Sequence, residues 1–331
     1  MKDQLRQLAR ELHLGMRFYR LYHAPKKFVQ KGWSEGFINM ALTSQAQLQM
    51  EKAAYHLEPV KLDASVKPLE IHFLSGRKFW YQTCFCAYSM SRQAQTNLYP
   101  VIYDDGTLEK KYAEEIQRIF PNAKIIVAKD IIARLDEYLP ENKFPVLRRH
   151  RIQYPHLRKL TDIHAGSPGW KLILDSDMLF FQSPNFLLDW LKSPQQPCHM
   201  LDVASAYGYS DALMSFLTKA KIPECLNVGI CGFKSEDIDW EQLEFWCKTM
   251  IEQEGTHYYQ EQALTAMLLA GKSCAIAPAE QYIVMPERKE VMNPQAVLHH
   301  YVAGSKAWYF RYGWKQVLRH DSQFEAMRCS A

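Results

Sequence analysis

The stretch Trp170 to Pro184, WKLILDSDMLFFQSP, constrains this chain more than any other. Leu172-Ile173-Leu174 is apolar without alternation, as expected of a central strand in a parallel sheet, where both faces are covered. It runs directly into Asp175 and Asp177, and the chain turns apolar again at Met178-Leu179-Phe180-Phe181. The two carboxylates therefore fall at the strand's carboxyl end, where open α/β sheets bind their ligands. Two hard oxygen donors one residue apart suit a divalent cation that keeps positions open for phosphate oxygens. Capping the helix expected after Ser183-Pro184 would need only one of them.

The flanking pattern supports an α/β fold. Ile71-His72-Phe73-Leu74 reads as a strand closed by Ser75-Gly76, with a helix over roughly 78–94. Tyr99 to Tyr103 gives a second strand, closed by Asp104-Asp105-Gly106 and followed by an amphipathic helix over 108–119. Lys124 to Val127 gives a third, with a helix over roughly 130–138. Strand and helix alternating at this spacing predict parallel βαβ units. Downstream, Leu226 to Phe233 reads as a strand, Trp240 to Glu254 and Gln260 to Leu269 as helices, and Ser273 to Ala277 and Ala296 to Tyr301 as strands. The first strand is not followed by GxGxxG, and the chain contains no GxxxxGK[ST], which argues against Rossmann dinucleotide and P-loop sites. Residues 1–65 show helical spacing (Leu5, Leu8, Leu12; Ala41, Leu48, Met50) and are expected to form a helical extension to a domain spanning 66–331.

A chain of 331 residues needs no disulfide or structural metal to build a core. Its eight cysteines contain no CxxC pair and no zinc-site spacing, so reduced thiols in a cytoplasmic protein are the expectation. No stretch approaches the ~18 apolar residues of a membrane span. The net charge of +4 argues against a dedicated nucleic-acid binder, but the basic residues are unevenly placed. Met1 to Lys31 carries eight Lys/Arg against Asp3 and Glu11, which reads either as a solvated face or as a peripheral contact with a membrane surface. Lys143 to Lys159 carries six with no acid, and is expected to face anionic ligands.

Four ordered landmarks between residues 70 and 315 resemble the GT-A fold nucleotide-sugar glycosyltransferases, most closely the family 8 group that includes glycogenin. They are Asp175-Ser176-Asp177; Leu-x-Lys-Leu with Lys159 sixteen residues ahead of Asp175; Asn227-Val228-Gly229 followed by Glu261-Gln262-Ala263-Leu264; and His300-Tyr-Val-Ala-Gly-Ser-Lys306-Ala-Trp308. The resemblance implies a GT-A-like, mainly parallel sheet flanked by helices. It also implies a metal-dependent transfer, with retention, from a nucleotide-diphosphate sugar, a UDP-sugar above all, to a glycan, lipid or small-molecule acceptor.

By the same resemblance, Asp175, Asp177 and His300 hold Mn²⁺ or Mg²⁺, and Lys306 meets the departing diphosphate. Lys159, Asn227, Glu261 and Gln262 serve the sugar and acceptor side, and Ser75 and Trp308 join the donor-binding residues. Three positions depart from the family pattern. Glu261 replaces an aspartate, moving its carboxylate by about 1.3–1.5 Å. Ala307 replaces a proline. Ala303 replaces a glycine, so the turn there is expected one residue later, on Gly304. The aromatic run Trp308 to Trp314 reads as packing more than as a sugar platform. Two other functions fit parts of the pattern. A haloacid-dehalogenase-like phosphohydrolase would use Asp175 as nucleophile and Asp177 as acid/base, and a degenerate transferase would bind a nucleotide-sugar without turning it over.

Overall fold

The computed structural model describes residues 36–94 and 96–319. The chain divides into two units, Met1–Gln49 and Met50–Ala331. Among the described residues of the first unit, the chain is helical from Phe37 onward, in a helix that runs to Ala54. The Leu5, Leu8 and Leu12 repeat and the basic residues of Met1 to Lys31 lie outside the described residues. No helix of the described residues is long and apolar enough to cross a membrane.

The second unit is built on a seven-stranded sheet. Its strands are β1 (Leu69–Ser75), β2 (Leu98–Asp104), β3 (Lys124–Ile126), β4 (Trp170–Leu174), β6 (Cys198–Leu201), β7 (Leu226–Lys234) and β8 (Ala275–Ile276), in the order β3-β2-β1-β4-β7-β6-β8. All but β7 run parallel; β7 is antiparallel to both β4 and β6. β4 and β7, apolar and buried along nearly their whole length, occupy the middle, as their lack of alternation requires. From β1 the chain winds outward to β2 and β3, then returns to place β4 on the other side of β1. This reversal sets the carboxyl ends of β1 and β4 side by side, at the place where an open sheet receives its ligand.

A second sheet of three strands has the order β5-β10-β9: β5 is Met178–Phe180, β9 is Tyr282–Val284 and β10 is Leu298–His300. The sequence pattern did not separate this sheet from the first, because three-residue strands carry too few alternations to read. The chain passes from one sheet to the other through Asp175-Ser176-Asp177, which joins β4 to β5. Neither aspartate caps the next helix, Asn185–Lys192, whose N-cap Pro184 has no side-chain bond.

The helices follow the expected apolar periodicity. In Lys110–Ile119, Tyr112, Ile116 and Ile119 form the buried stripe. Helix Trp80–Ala94 is buried on almost every side and packs against β5.

The basic run Lys143 to Lys159 departs from expectation. Several of its charges meet acids or backbone oxygens of other elements, and some of these pairs are exposed. Lys143 meets Glu241, Arg148 meets Asp136, and buried Arg151 forms a two-pronged pair with Asp162 at 2.5 and 2.7 Å. Arg158 donates to backbone oxygens of Arg151 and Asp105. Glu244 caps helix Pro145–Gln153 by accepting from the Val146 and Leu147 amides, 2.8 Å each. These bonds brace the neighbouring helix Arg158–His164, which carries Lys159.

Away from these carboxyl ends, His72 on β1 is 4% exposed, and burial, with Lys171 and Lys124 nearby, pushes its pKa down to about 3. The ring is neutral in the fold, so its contribution is complete above pH 6.5 and is lost as pH falls toward 3. Acidification should therefore cost stability at up to about 1.4 kcal/mol per pH unit from this one residue. In urea unfolding at pH 6.5 and 4.5, His72→Asn is expected to start less stable and to lose about 2 kcal/mol less than the parent between the two. Equal losses would show that His72 does not govern the acid limb.

Candidate active site

Asp175, Asp177 and His300 converge where the two sheets meet. Each offers one ligand atom, and the three atoms lie within 4.8 Å of one another. The fold makes this meeting unavoidable. Antiparallel pairing sets His300 at the end of β10 opposite Met178, the residue after Asp177. The Tyr301 amide then donates to the Asp177 carbonyl at 2.9 Å, and the Asp175 amide donates to the Gly229 carbonyl of β7 at 2.8 Å. Gly229 leaves the space His300 fills: a Cβ there would stand 2.4 Å from the ring's Cε1 and 2.7 Å from Nδ1. This close approach is a physical reason for glycine in the Asn227-Val228-Gly229 strand.

Each carboxylate is divided between a lysine and the histidine. Asp175 gives Oδ1 to Lys159 Nζ at 2.9 Å and turns Oδ2 toward His300 Nε2 at 3.8 Å. Asp177 gives Oδ2 to Lys306 Nζ at 2.7 Å and turns Oδ1 toward His300 Nε2 at 3.3 Å. The His300 ring is 2% exposed; its Nε2 faces the two carboxylates, and its Nδ1 has no hydrogen-bond partner. An orphaned buried imidazole nitrogen costs free energy unless something accepts its lone pair or proton. Two carboxylate oxygens and a ring nitrogen aimed at one point form a donor set that a divalent cation fits, with Mn²⁺ suiting mixed oxygen and nitrogen ligands better than Mg²⁺.

The electrostatics agree with this division. Burial alone would raise the Asp177 carboxyl, but the His300 ring and the Lys306 ammonium outweigh it and hold the group below the usual carboxylate range. Burial would also lower Lys306, yet Asp177 raises it. Lys159 is likewise pulled down by burial and raised on balance by Asp175 and Glu261. Glu261 carries the cost: burial, with Asp175 nearby, lifts it to about 7 even though Lys159 Nζ lies 3.4 Å away.

The other expected residues fall around this centre. Asn227 Nδ2 donates to Asp202 Oδ2 at 2.8 Å while its Oδ1 accepts from the Gly229 amide at 2.8 Å. Gln262 is buried at the start of helix Gln260–Leu269 and donates to the Ala206 carbonyl. Trp308 stacks on Tyr312, and both rings have the Arg288 guanidinium 5.6 Å from their centroids. Most of the aromatic tail packs: Tyr309, Phe310 and Trp314 are buried. Ser75 is buried behind the loop, with its hydroxyl 2.8 Å from Thr83 Oγ1.

Sequence reasoning missed Asp202, which orients Asn227, and also His156 and Tyr258. These two rings meet edge to face at 5.1 Å, and both lie within electrostatic reach of Asp175, Asp177 and Lys306. They stand in loops and short turns without a motif, so spacing gave no signal for them.

Gly304 does not take the turn. The left-handed residue is Ala303 itself, at φ 46°, while Gly304 has no left-handed φ. The position where the resembling pattern has glycine is left-handed here, and alanine bears a strain of roughly 1–2 kcal/mol. Ala303→Gly is accordingly expected to raise stability by about 1 kcal/mol in chemical denaturation, net of glycine's extra chain entropy. A loss of stability would mean that the alanine methyl packs better than the turn is strained.

A scan against protein-family models finds no match, and a search of curated proteins finds no relative. Solved structures do match. The chain is similar to the galactosyltransferase LgtC solved in complex with donor and acceptor sugar analogs, at 16% identity and a TM-score of 0.51, over 76% of this chain and 94% of that one. An active-site mutant of LgtC matches at 15% identity and a TM-score of 0.51, over 77% and 96%. The chain therefore has the glycosyltransferase fold that its motifs resemble. A haloacid-dehalogenase-like site would need a different one.

Proposed function

We propose that this chain is a metal-dependent glycosyltransferase that moves a sugar from a nucleotide-diphosphate sugar, a UDP-sugar by resemblance, to a glycan, lipid or small-molecule acceptor with retention at the anomeric carbon. The observation that carries the reading is the convergence of Asp175 Oδ2, Asp177 Oδ1 and the buried His300 ring on one point, at the ligand-binding edge of a glycosyltransferase fold.

Departure of a nucleoside diphosphate leaves negative charge on its phosphates, and the site must meet that charge. A cation held by Asp175, Asp177 and His300, Mn²⁺ in preference to Mg²⁺, supplies Lewis-acid neutralisation of the diphosphate. Lys306 lies on the outer oxygen of Asp177 and is 42% exposed, so its ammonium can reach from the carboxylate to a phosphate oxygen. Removing such a charge-stabilising group typically costs on the order of 10²–10³ in turnover. The sugar falls to the other side of the centre in this reading, toward Lys159, Asn227, Glu261 and Gln262. Lys159 holds Asp175 and Glu261 together there, and Asp202 fixes which face of the Asn227 amide is free. A Glu261 that titrates near neutrality can accept or donate a hydrogen bond to a sugar hydroxyl. Ser75 and Trp308 belong to the donor side of the same reading.

The test is a thermal-shift panel of UDP-, GDP-, ADP- and CDP-sugars, each with Mn²⁺, Mg²⁺ or EDTA. One nucleotide is expected to stabilise the protein only with metal, by about 2.7 kcal/mol at 100 times its dissociation constant. The shift should vanish in Asp177→Ala. Binding without transfer to any acceptor or to water would support the degenerate-transferase reading instead. The absence of any shift in folded protein would contradict the donor site itself.

A further inference from the structure

The loop carrying Asp175 and Asp177 is held from within by a hydroxyl that no sequence motif marks. Thr83, in helix Trp80–Ala94, is 1% exposed, and its Oγ1 stands 2.7 Å from Ser176 Oγ, 2.8 Å from Ser75 Oγ and 3.1 Å from the Phe79 carbonyl. A threonine hydroxyl has one proton to give and two lone pairs to receive with. Phe79 O can only accept. If Thr83 gives its proton there, both serines donate to Thr83, and every hydrogen-bonding position of that oxygen is used.

The sheet register brings these groups together. His72 of β1 lies beside Ile173 of β4, so Ser75, three residues on, comes level with Ser176. The register places the end of β1 beside the metal loop, and the helix that follows β1 sets Thr83 between the two serines.

The consequence for the loop is geometric. The chain bends at Ser176 and Asp177 between β4 and β5. Ser176 turns inward onto Thr83, while its two neighbours, Asp175 and Asp177, both face His300. The Ser176 carbonyl is fixed as well, accepting from the buried Tyr309 hydroxyl at 3.3 Å. The backbone bonds of Asp175 to Gly229 and of Asp177 to Tyr301 pin the loop's two ends. The Thr83 contact is what sets the orientation of its centre.

We propose that Thr83 is a positioning residue of the cation site, which it serves by anchoring Ser176 so that the two aspartates face the same point. The proposal rests on the metal-dependent reading given above. Thr83 touches neither substrate nor cation, and its effect is read through the affinity of the site. Groups that orient metal ligands from behind typically contribute 10- to 100-fold to metal affinity.

The test is Mn²⁺ binding to the full chain, measured as loss of the free-ion signal in electron paramagnetic resonance, with folding checked by circular dichroism. Thr83→Val, similar in shape but without the hydroxyl, is expected to weaken Mn²⁺ binding about tenfold or more. Thr83→Ser, which keeps the hydroxyl, should stay within about twofold of the parent. Ser176→Ala should weaken binding as Thr83→Val does, and the double variant should be no weaker than either alone, because the two changes break one contact. A helix residue important only for stability would lower the unfolding temperature and leave Mn²⁺ affinity unmoved, and that result overturns the proposal. Losses that multiply in the double variant overturn it too. If Thr83→Val does not fold, Ser176→Ala on the half-buried loop decides: parental affinity there defeats the idea. Failure of the parent protein to bind Mn²⁺ would instead bring down the cation reading on which the proposal stands.

Discussion

Two like charges are held side by side in a partly buried setting, and the rest of the site is arranged around that demand. Asp175 and Asp177 would repel each other and resist burial if left alone. Each is neutralised by its own lysine on one oxygen, which leaves the second oxygen of each free to face His300. The lysines come from distant parts of the chain, Lys159 from the short helix in which the basic run ends and Lys306 from the turn after β10. Asp177 is thus held below the usual carboxylate range, and the two carboxylates still present a vertex of oxygen donors beside the ring nitrogen. A buried ion pair is weak evidence for stability, since desolvation offsets most of its Coulomb gain. Here the pairs serve orientation, with each lysine selecting which oxygen points where.

The same demand explains the architecture. A single sheet cannot supply both an Asp-Ser-Asp loop at a strand's carboxyl end and a histidine facing it. The chain solves this by leaving the large sheet after β4, crossing the loop, and starting a small second sheet whose β10 returns antiparallel beside β5. Gly229 keeps β7 thin enough for His300 to lie against it. Ala303 accepts a left-handed backbone so that the chain can turn from His300 toward Lys306 within a few residues. Local conformational cost at such a position is commonly tolerated where surrounding structure fixes it.

Much of this was legible in the sequence, for reasons that can be stated residue by residue. Strands β1, β2, β4 and β7 and helices Trp240–Glu254 and Gln260–Leu269 are long enough, and apolar or periodic enough, to be read directly. Asp175 and Asp177 announced themselves by following an apolar strand, and His300, Lys306 and Lys159 by their distances from landmarks of a known pattern. β5, β6 and β9 were not read as strands: at three or four residues they have no measurable period, and the spacing that marked the equally short β3 after its helix is missing around them. Thr83 was not, because a hydroxyl inside an apolar helix reads as an ordinary core residue until the register of β1 against β4 is known. The basic run Lys143 to Lys159 misled for a related reason: its acidic partners Asp136, Glu241 and Asp162 lie outside the run, so a local charge count could not find them. The same blindness applied to Glu261, whose near-neutral titration depends on burial that spacing cannot show.

The most direct test of the central claim is a crystal of the protein soaked with Mn²⁺ and a nucleoside diphosphate, with anomalous scattering recorded at the manganese edge. The account predicts one anomalous peak bonded to Asp175 Oδ2, Asp177 Oδ1 and the His300 ring, with Lys306 swung toward the diphosphate. A diphosphate bound at the site with no anomalous peak at that vertex, or a peak bonded elsewhere, would contradict it.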